Sequence, residues 1–264
     1  MSILQKNNVH IKGKGTSPMM FAHGFGCDQN MWRFITSSFE ETHKLILFDH
    51  VGAGRSDLSA YDPLKYGELD GYVEDILDIA KSLDLKDVIF VGHSVSAIMG
   101  IMAAEKAPHL FKSLILVAPS PSYINDGDYI GGFSRMEIEE LLQSLDNNHL
   151  GWSMTMAPLI MANLERAELS EELTNSFCST DPTIAREFAR VTFLTDSREV
   201  LHKCNTSSLI LQCSDDIIAP VEVGRFMHSQ LADSQLIILD ATGHCPHLSA
   251  PEETVSAIRN FLKV

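Results

Sequence analysis

The chain has 264 residues, 45% of them hydrophobic and 21% charged, and its 35 acidic against 20 basic side chains give a formal net charge of −15. That length suits one large domain or two small ones with a full core, and the composition argues against disordered, fibrous and stapled miniature classes. So acidic a field repels phosphate backbones and anionic headgroups, which argues against nucleic acid and membrane surfaces as partners.

Short apolar runs bounded by turn residues alternate with segments of helical period, the pattern of β-α-β units in a largely parallel sheet. A leading antiparallel strand is predicted within residues 9–14, and core strands at 19–22, 45–48, 88–91, 114–117, 209–213 and 236–239. The first core strand runs into His23-Gly24-Phe25-Gly26, whose glycines let a backbone amide turn inward. His23 is read as a brace for that loop. After the second strand, Gly52-Ala-Gly54-Arg-Ser-Asp57 has the outline of a dinucleotide loop, but ends in Asp and follows the wrong strand, so cofactor binding is rejected. Val73, Ile76, Leu77, Ala80 and Leu83 then mark one face of a helix packed on the sheet.

The strongest local signal is Gly92-His93-Ser94-Val95-Ser96, directly after one strand and directly before a helical run at 97–106. A serine in so sharp a strand-to-helix turn projects its hydroxyl above the sheet edge, where a nucleophile belongs. The usual motif closes on glycine; Ser96 is small enough for the turn. From residue 121 to 194 the strand signal disappears, and helix starts take its place: a capping box at Ser134-Arg-Met-Glu137 and a cap followed by proline at Asp181-Pro182. This reads as a helical insertion on an α/β core, with four Arg, no Lys and twelve acidic residues, 4 − 12 = −8. A closing amphipathic helix is expected at 252–264.

A serine hydroxyl attacks only when a base takes its proton and a third group orients that base. Asp215 and Asp216 follow the fifth core strand and His244 the sixth, which is the order Ser, acid, His. Asp216 is the preferred acid, with Asp215 the alternative. The backbone amides of Phe25 and Val95 are the expected oxyanion donors. His244 and His247, with Cys245 between them, raise a metal site, but no third ligand follows at a suitable spacing and Pro246 breaks a regular helix, so none is expected. Five widely spread cysteines without paired spacing read as reduced thiols, and with neither an apolar leader nor a run of about 18 apolar residues, a cytoplasmic protein is expected.

These residues together resemble the α/β-hydrolase superfamily. Further runs are similar to the group containing the bacterial sigma-B regulator RsbQ and the plant karrikin and strigolactone receptors. They are residues 24–29 (Gly-Phe-Gly-Cys-Asp-Gln), 48–54 (Phe-Asp-His-Val-Gly-Ala-Gly), 92–97 with its Ser96, and 119–123 together with Asn125, Asp126 and Gly131-Gly132-Phe133. The runs 177–182 and 243–247 complete the match, which spans essentially the whole chain. The resemblance implies an α/β-hydrolase fold, with a mostly parallel eight-stranded sheet flanked by helices. Residues 1–120 and 195–264 would form the core, and residues 121–194 a V-shaped lid of four helices over a small, closed, apolar pocket. It places Phe25, Phe133, Trp152 and Phe193 at the pocket, with no cofactor. It implies a small apolar ester or lactone as substrate, and a PAS-domain-containing PP2C phosphatase as signalling partner. A metabolic esterase or lactonase without a partner, and a non-catalytic receptor, are the alternatives.

Overall fold

The computed structural model describes residues 1–264. Seven strands form one sheet: β1 (His10–Lys12), β2 (Ser17–Ala22), β3 (His43–Leu47), β4 (Val88–His93), β5 (Phe111–Val117), β6 (Ser208–Asp215) and β7 (Ser234–Thr242), in spatial order β1-β3-β2-β4-β5-β6-β7. β1 runs antiparallel to β3, with Ile11 opposite Ile46, and every other pairing is parallel. All six predicted core strands and the leading antiparallel one are present, each within a few residues of its expected span. The sheet has seven strands, not the eight that the resemblance implied. Ahead of β1 the chain closes instead into one helical turn, Ile3–Lys6. There Ser2 and Gln5 form a capping box, and Asn8, at φ 46°, redirects the backbone.

The central strands β2 to β6 are largely apolar and buried because both faces of the sheet are covered there, whereas β1 and β7 at the edges are more exposed. Side chains alternate across a strand, so Met19, Phe21, Ile89, Val91, Ile115 and Val117 enter one core and Met20, Ala22, Val88, Phe90, Leu114 and Leu116 the other. The longer helices are α1 (Leu69–Ser82), α2 (Val95–Lys106), α3 (Arg135–Asn147), α4 (His149–Met161), α5 (Ala167–Ser179), α6 (Pro182–Leu194), α7 (Val221–Gln230) and α8 (Pro251–Leu262). Val73, Ile76 and Ala80 of α1 pack into the second core, together with Ile98 and Ile101 of α2. Ala257 and Ile258 of α8 enter the first.

Between β5 and β6 the chain carries α3 to α6 and only two isolated bridges, Ile124 with Phe133 and Asp126 with Tyr129. The capping box opens α3, Ser134 Oγ accepting from Glu137 N–H at 3.2 Å while Ser134 N–H donates back to the Glu137 carboxylate at 2.7 Å. Asp181 caps α6 by accepting from the Thr183 and Ile184 amides. Helix α4 packs on α5, and α3 on α4 and α6. Because the six parallel strands point the same way, the loops after β2, β4, β5, β6 and β7 meet at one edge, beneath these helices.

Candidate active site

The turn after β4 holds Ser94 at φ 57° and ψ −126°, a conformation a non-glycine residue adopts only at a cost of about 1–3 kcal/mol. Its own N–H donates to the Val117 carbonyl at 2.8 Å, fixing the turn against β5. Gly92 makes the turn possible: a Cβ there would stand 2.6 Å from the Ser96 carbonyl oxygen. The hydroxyl of Ser94 is thereby brought 2.8 Å from His244 Nε2, and His244 Nδ1 lies 2.7 Å from Asp216 Oδ2. Asp216 Oδ1 accepts from the Ile218 and Ala219 amides at 2.8 and 3.2 Å. A carboxylate only accepts, so Nδ1 of His244 carries the proton and Nε2 is free to take one from Ser94. All three side chains are buried. Asp215, the alternative acid, points to solvent, and only its carbonyl takes part, accepting from Gly243 N–H at 2.7 Å.

His244 is held from above by the helical insertion, its N–H donating to the Ile160 carbonyl at 2.9 Å. Gly243 precedes it at φ +86°, and a Cβ there would lie 2.1 Å from the Met161 carbonyl oxygen. Gly243→Ala is therefore expected to lower stability by about 2 kcal/mol or more and to displace His244. A denaturant titration beside a turnover assay checks this, and an unchanged midpoint refutes it.

The backbone N–H groups of Phe25 and Val95 have no acceptor in the protein. The loop of Phe25 abuts the serine turn, since a Cβ on Gly24 would stand 3.2 Å from Ser94 Cβ. Tyr123, in the loop after β5, places its hydroxyl 3.1 Å from Ser94 Oγ. The serine opens into a cavity of about 30 Å³, mostly apolar, whose lining includes Phe25, Tyr123, Ile160, Phe177, Phe193 and Ile218. That is room for a water or two. Of the expected pocket residues, Phe25 and Phe193 line it. Trp152 is buried one layer out, its ring stacked on Phe177 at 5.5 Å, which stands between it and the cavity. Phe133 is also outside the lining, held beside Tyr123 by its N–H on the Tyr123 carbonyl at 3.1 Å. The Phe25 side chain itself meets Trp152, Phe177, Phe188 and Phe193 with ring centroids 5.7–6.1 Å apart.

The model of the Alpha/beta hydrolase family matches residues 19–257. The chain belongs to the alpha/beta hydrolase family. Among its relatives, the strigolactone esterase D14 of Arabidopsis thaliana is 35% identical, over 99% of this chain and 98% of its own. The karrikin insensitive 2 receptor CA of Petunia hybrida is 31% identical, over 98% and 96%. The solved structure of a hydrolase from Oleispira antarctica superposes with a TM-score of 0.96 at 39% identity, covering 99% of this chain and 96% of its own.

In this hydrolase His93 also lines the cavity beside Ser94 but hydrogen-bonds neither Ser94 nor Asp216. His93 Nε2 donates to the His244 carbonyl at 2.8 Å, and burial holds its pKa well below the usual range, so it supports the backbone of His244 as a neutral ring. The structure supplies a third donor beside Cys245 and His247, namely His93, with ligand atoms within 4.8 Å of one another. These are soft-metal ligand types. Burial pushes the Cys245 thiol well up and the His247 pKa down to about 3, so without a metal the cluster holds a protonated thiol and neutral imidazoles. Tyr123 is the site residue that motif reading leaves without a role. Its signal was its position just past the carboxyl end of a parallel strand, where site loops gather.

Proposed function

We propose that this hydrolase is a serine esterase or lactonase for small apolar substrates, with Ser94 as nucleophile, His244 as base and acid, and Asp216 orienting it. The observation that carries the reading is the unbroken chain from Ser94 Oγ through His244 to Asp216, at 2.8 and 2.7 Å. The hydroxyl proton passes to His244 Nε2 as Oγ bonds to the substrate carbonyl carbon. The developing oxyanion is received by the free amides of Phe25 and Val95, each such donor contributing about 3 kcal/mol. Collapse expels the alcohol oxygen, which takes the proton from His244; in a lactone it stays tethered to the acyl group. Water then attacks the acyl-serine, giving its proton to the same nitrogen, and as the acyl–Oγ bond breaks Ser94 takes that proton back and the carboxylic acid leaves. The Tyr123 hydroxyl, in reach of Oγ, supports the hydroxyl's orientation, and the apolar lining supports a substrate with little charge. A cavity this small supports a lid role for residues 121–194, which must shift for a substrate to enter. Incubation with a fluorophosphonate, followed by peptide mass spectrometry, is the test. One adduct on Ser94 is the expected result, and a wild-type protein that takes no label refutes the reading.

The finer reading is a signalling output through a PAS-domain-containing PP2C-type phosphatase. It draws support from the whole-chain resemblance to sigma-B regulators and from a receptor among the relatives. Five unpaired thiols support a reducing compartment such as the cytoplasm. Adding the hydrolase to such a phosphatase is expected to change dephosphorylation of a phosphopeptide several-fold. An unchanged rate at saturating hydrolase favours the metabolic esterase instead.

A further inference from the structure

Ser96 occupies the motif position where glycine is usual, and it is fully buried. Its Oγ donates to the His23 carbonyl and lies 2.7 Å from His50 Nε2. A hydroxyl has one proton to give, so at His50 it accepts, and the His50 ring carries its proton on Nε2, leaving Nδ1 bare and unpartnered. The backbone N–H of His50 in turn donates to His23 Nε2 at 3.1 Å. His23 therefore keeps its proton on Nδ1, which donates to the Gly24 carbonyl at 2.9 Å. Every proton in this closed network is assigned by its neighbours.

The Gly24 carbonyl and the Phe25 N–H belong to one peptide unit, and the chain has no cis peptide bonds. In a trans peptide the two point in opposite directions, so whatever anchors the carbonyl aims the amide. Ser96 also sits one residue past Val95, the other free amide. The serine turn thus grips the loop bearing its partner donor.

On the esterase reading above, we infer that Ser96 and His50 are positioning residues, which set the direction of the Phe25 amide and its spacing from the Val95 amide. Substrate does not touch them; they act through His23 and Gly24. Removing the hydroxyl leaves the triad distances alone and loosens only the oxyanion donor.

The experiment compares wild type with Ser96→Ala, Ser96→Gly, His50→Leu and His50→Gln on p-nitrophenyl acetate. A trifluoromethyl ketone serves as a probe whose serine adduct carries an oxyanion, with the parent methyl ketone as control. In Ser96→Ala and Ser96→Gly, kcat is expected to fall about tenfold with KM within about twofold, a fraction of what deleting an oxyanion donor costs. Binding of the trifluoromethyl ketone should weaken by the same factor and that of the methyl ketone should not, while Ser94 still takes the fluorophosphonate at end point. His50→Gln, which keeps a side-chain N–H donor, should retain most of the kcat that His50→Leu loses. Folded Ser96 variants with wild-type kcat and wild-type trifluoromethyl ketone affinity overturn the inference alone. A loss confined to KM also overturns it. A wild-type protein that neither turns over ester nor binds the trifluoromethyl ketone overturns the esterase reading instead, and the inference with it.

Discussion

Ser94→Ala is expected to lower kcat/KM for a small ester by a factor on the order of 10⁵ to 10⁶, leaving only the contribution of binding and the oxyanion amides. No neighbour can take over. The two thiols that line the cavity, Cys27 and Cys245, have their pKa pushed far up by burial, so neither supplies a thiolate. Alanine carries the same Cβ as serine, and the backbone at φ 57° is no more strained by it, so the variant should unfold at nearly the wild-type temperature. Steady-state kinetics beside a melting curve separate the two effects. Turnover within tenfold of wild type in a folded variant would refute the nucleophile.

Asp216→Asn should cost about 10⁴-fold in kcat, through the tautomer of His244. Oδ1 of Asp216 accepts from the Ile218 and Ala219 amides, and an asparagine must keep its only oxygen there. Its NH₂ group is then turned toward His244 Nδ1, which has to become an acceptor, and the ring proton moves to Nε2, facing Ser94. A base already protonated cannot take the serine's proton. Crystallography or ¹⁵N NMR of the imidazole should report Nε2–H in the variant and Nδ1–H in the wild type. An Asn variant with more than about a tenth of wild-type kcat would contradict this assignment.

The six core strands could be read from the sequence because each carries a short apolar run bounded by turn residues, and five of them are buried on both faces of the sheet. The order Ser94, Asp216, His244 was legible for a related reason: each follows its own strand, and parallel strands deliver their loops to one edge. What could not be read are contacts between loops. That Tyr123 reaches Ser94, and that Ser96 reaches His50 across 46 positions, depends on strand spacing and on loop conformations no local period encodes. The same holds for Trp152 and Phe133, which the resemblance placed at the pocket and which lie outside the cavity lining, Trp152 with its ring stacked on the lining residue Phe177. The eighth strand rested on resemblance alone, and seven residue-level strand signals already gave the observed number. The choice between Asp215 and Asp216 was likewise open in the sequence, since adjacent side chains leave a strand end in opposite directions and nothing in their spacing says which turns inward.

The ring of Phe25 is clasped by Trp152 from α4, Phe177 from α5 and Phe188 and Phe193 from α6, while its backbone N–H has no acceptor in the protein and its loop abuts the serine turn. On the esterase reading, a substrate that parts these helices would also loosen the ring contacts of the residue whose amide is proposed to hold the oxyanion, so that opening of the cover and aim of the donor would be coupled through one side chain.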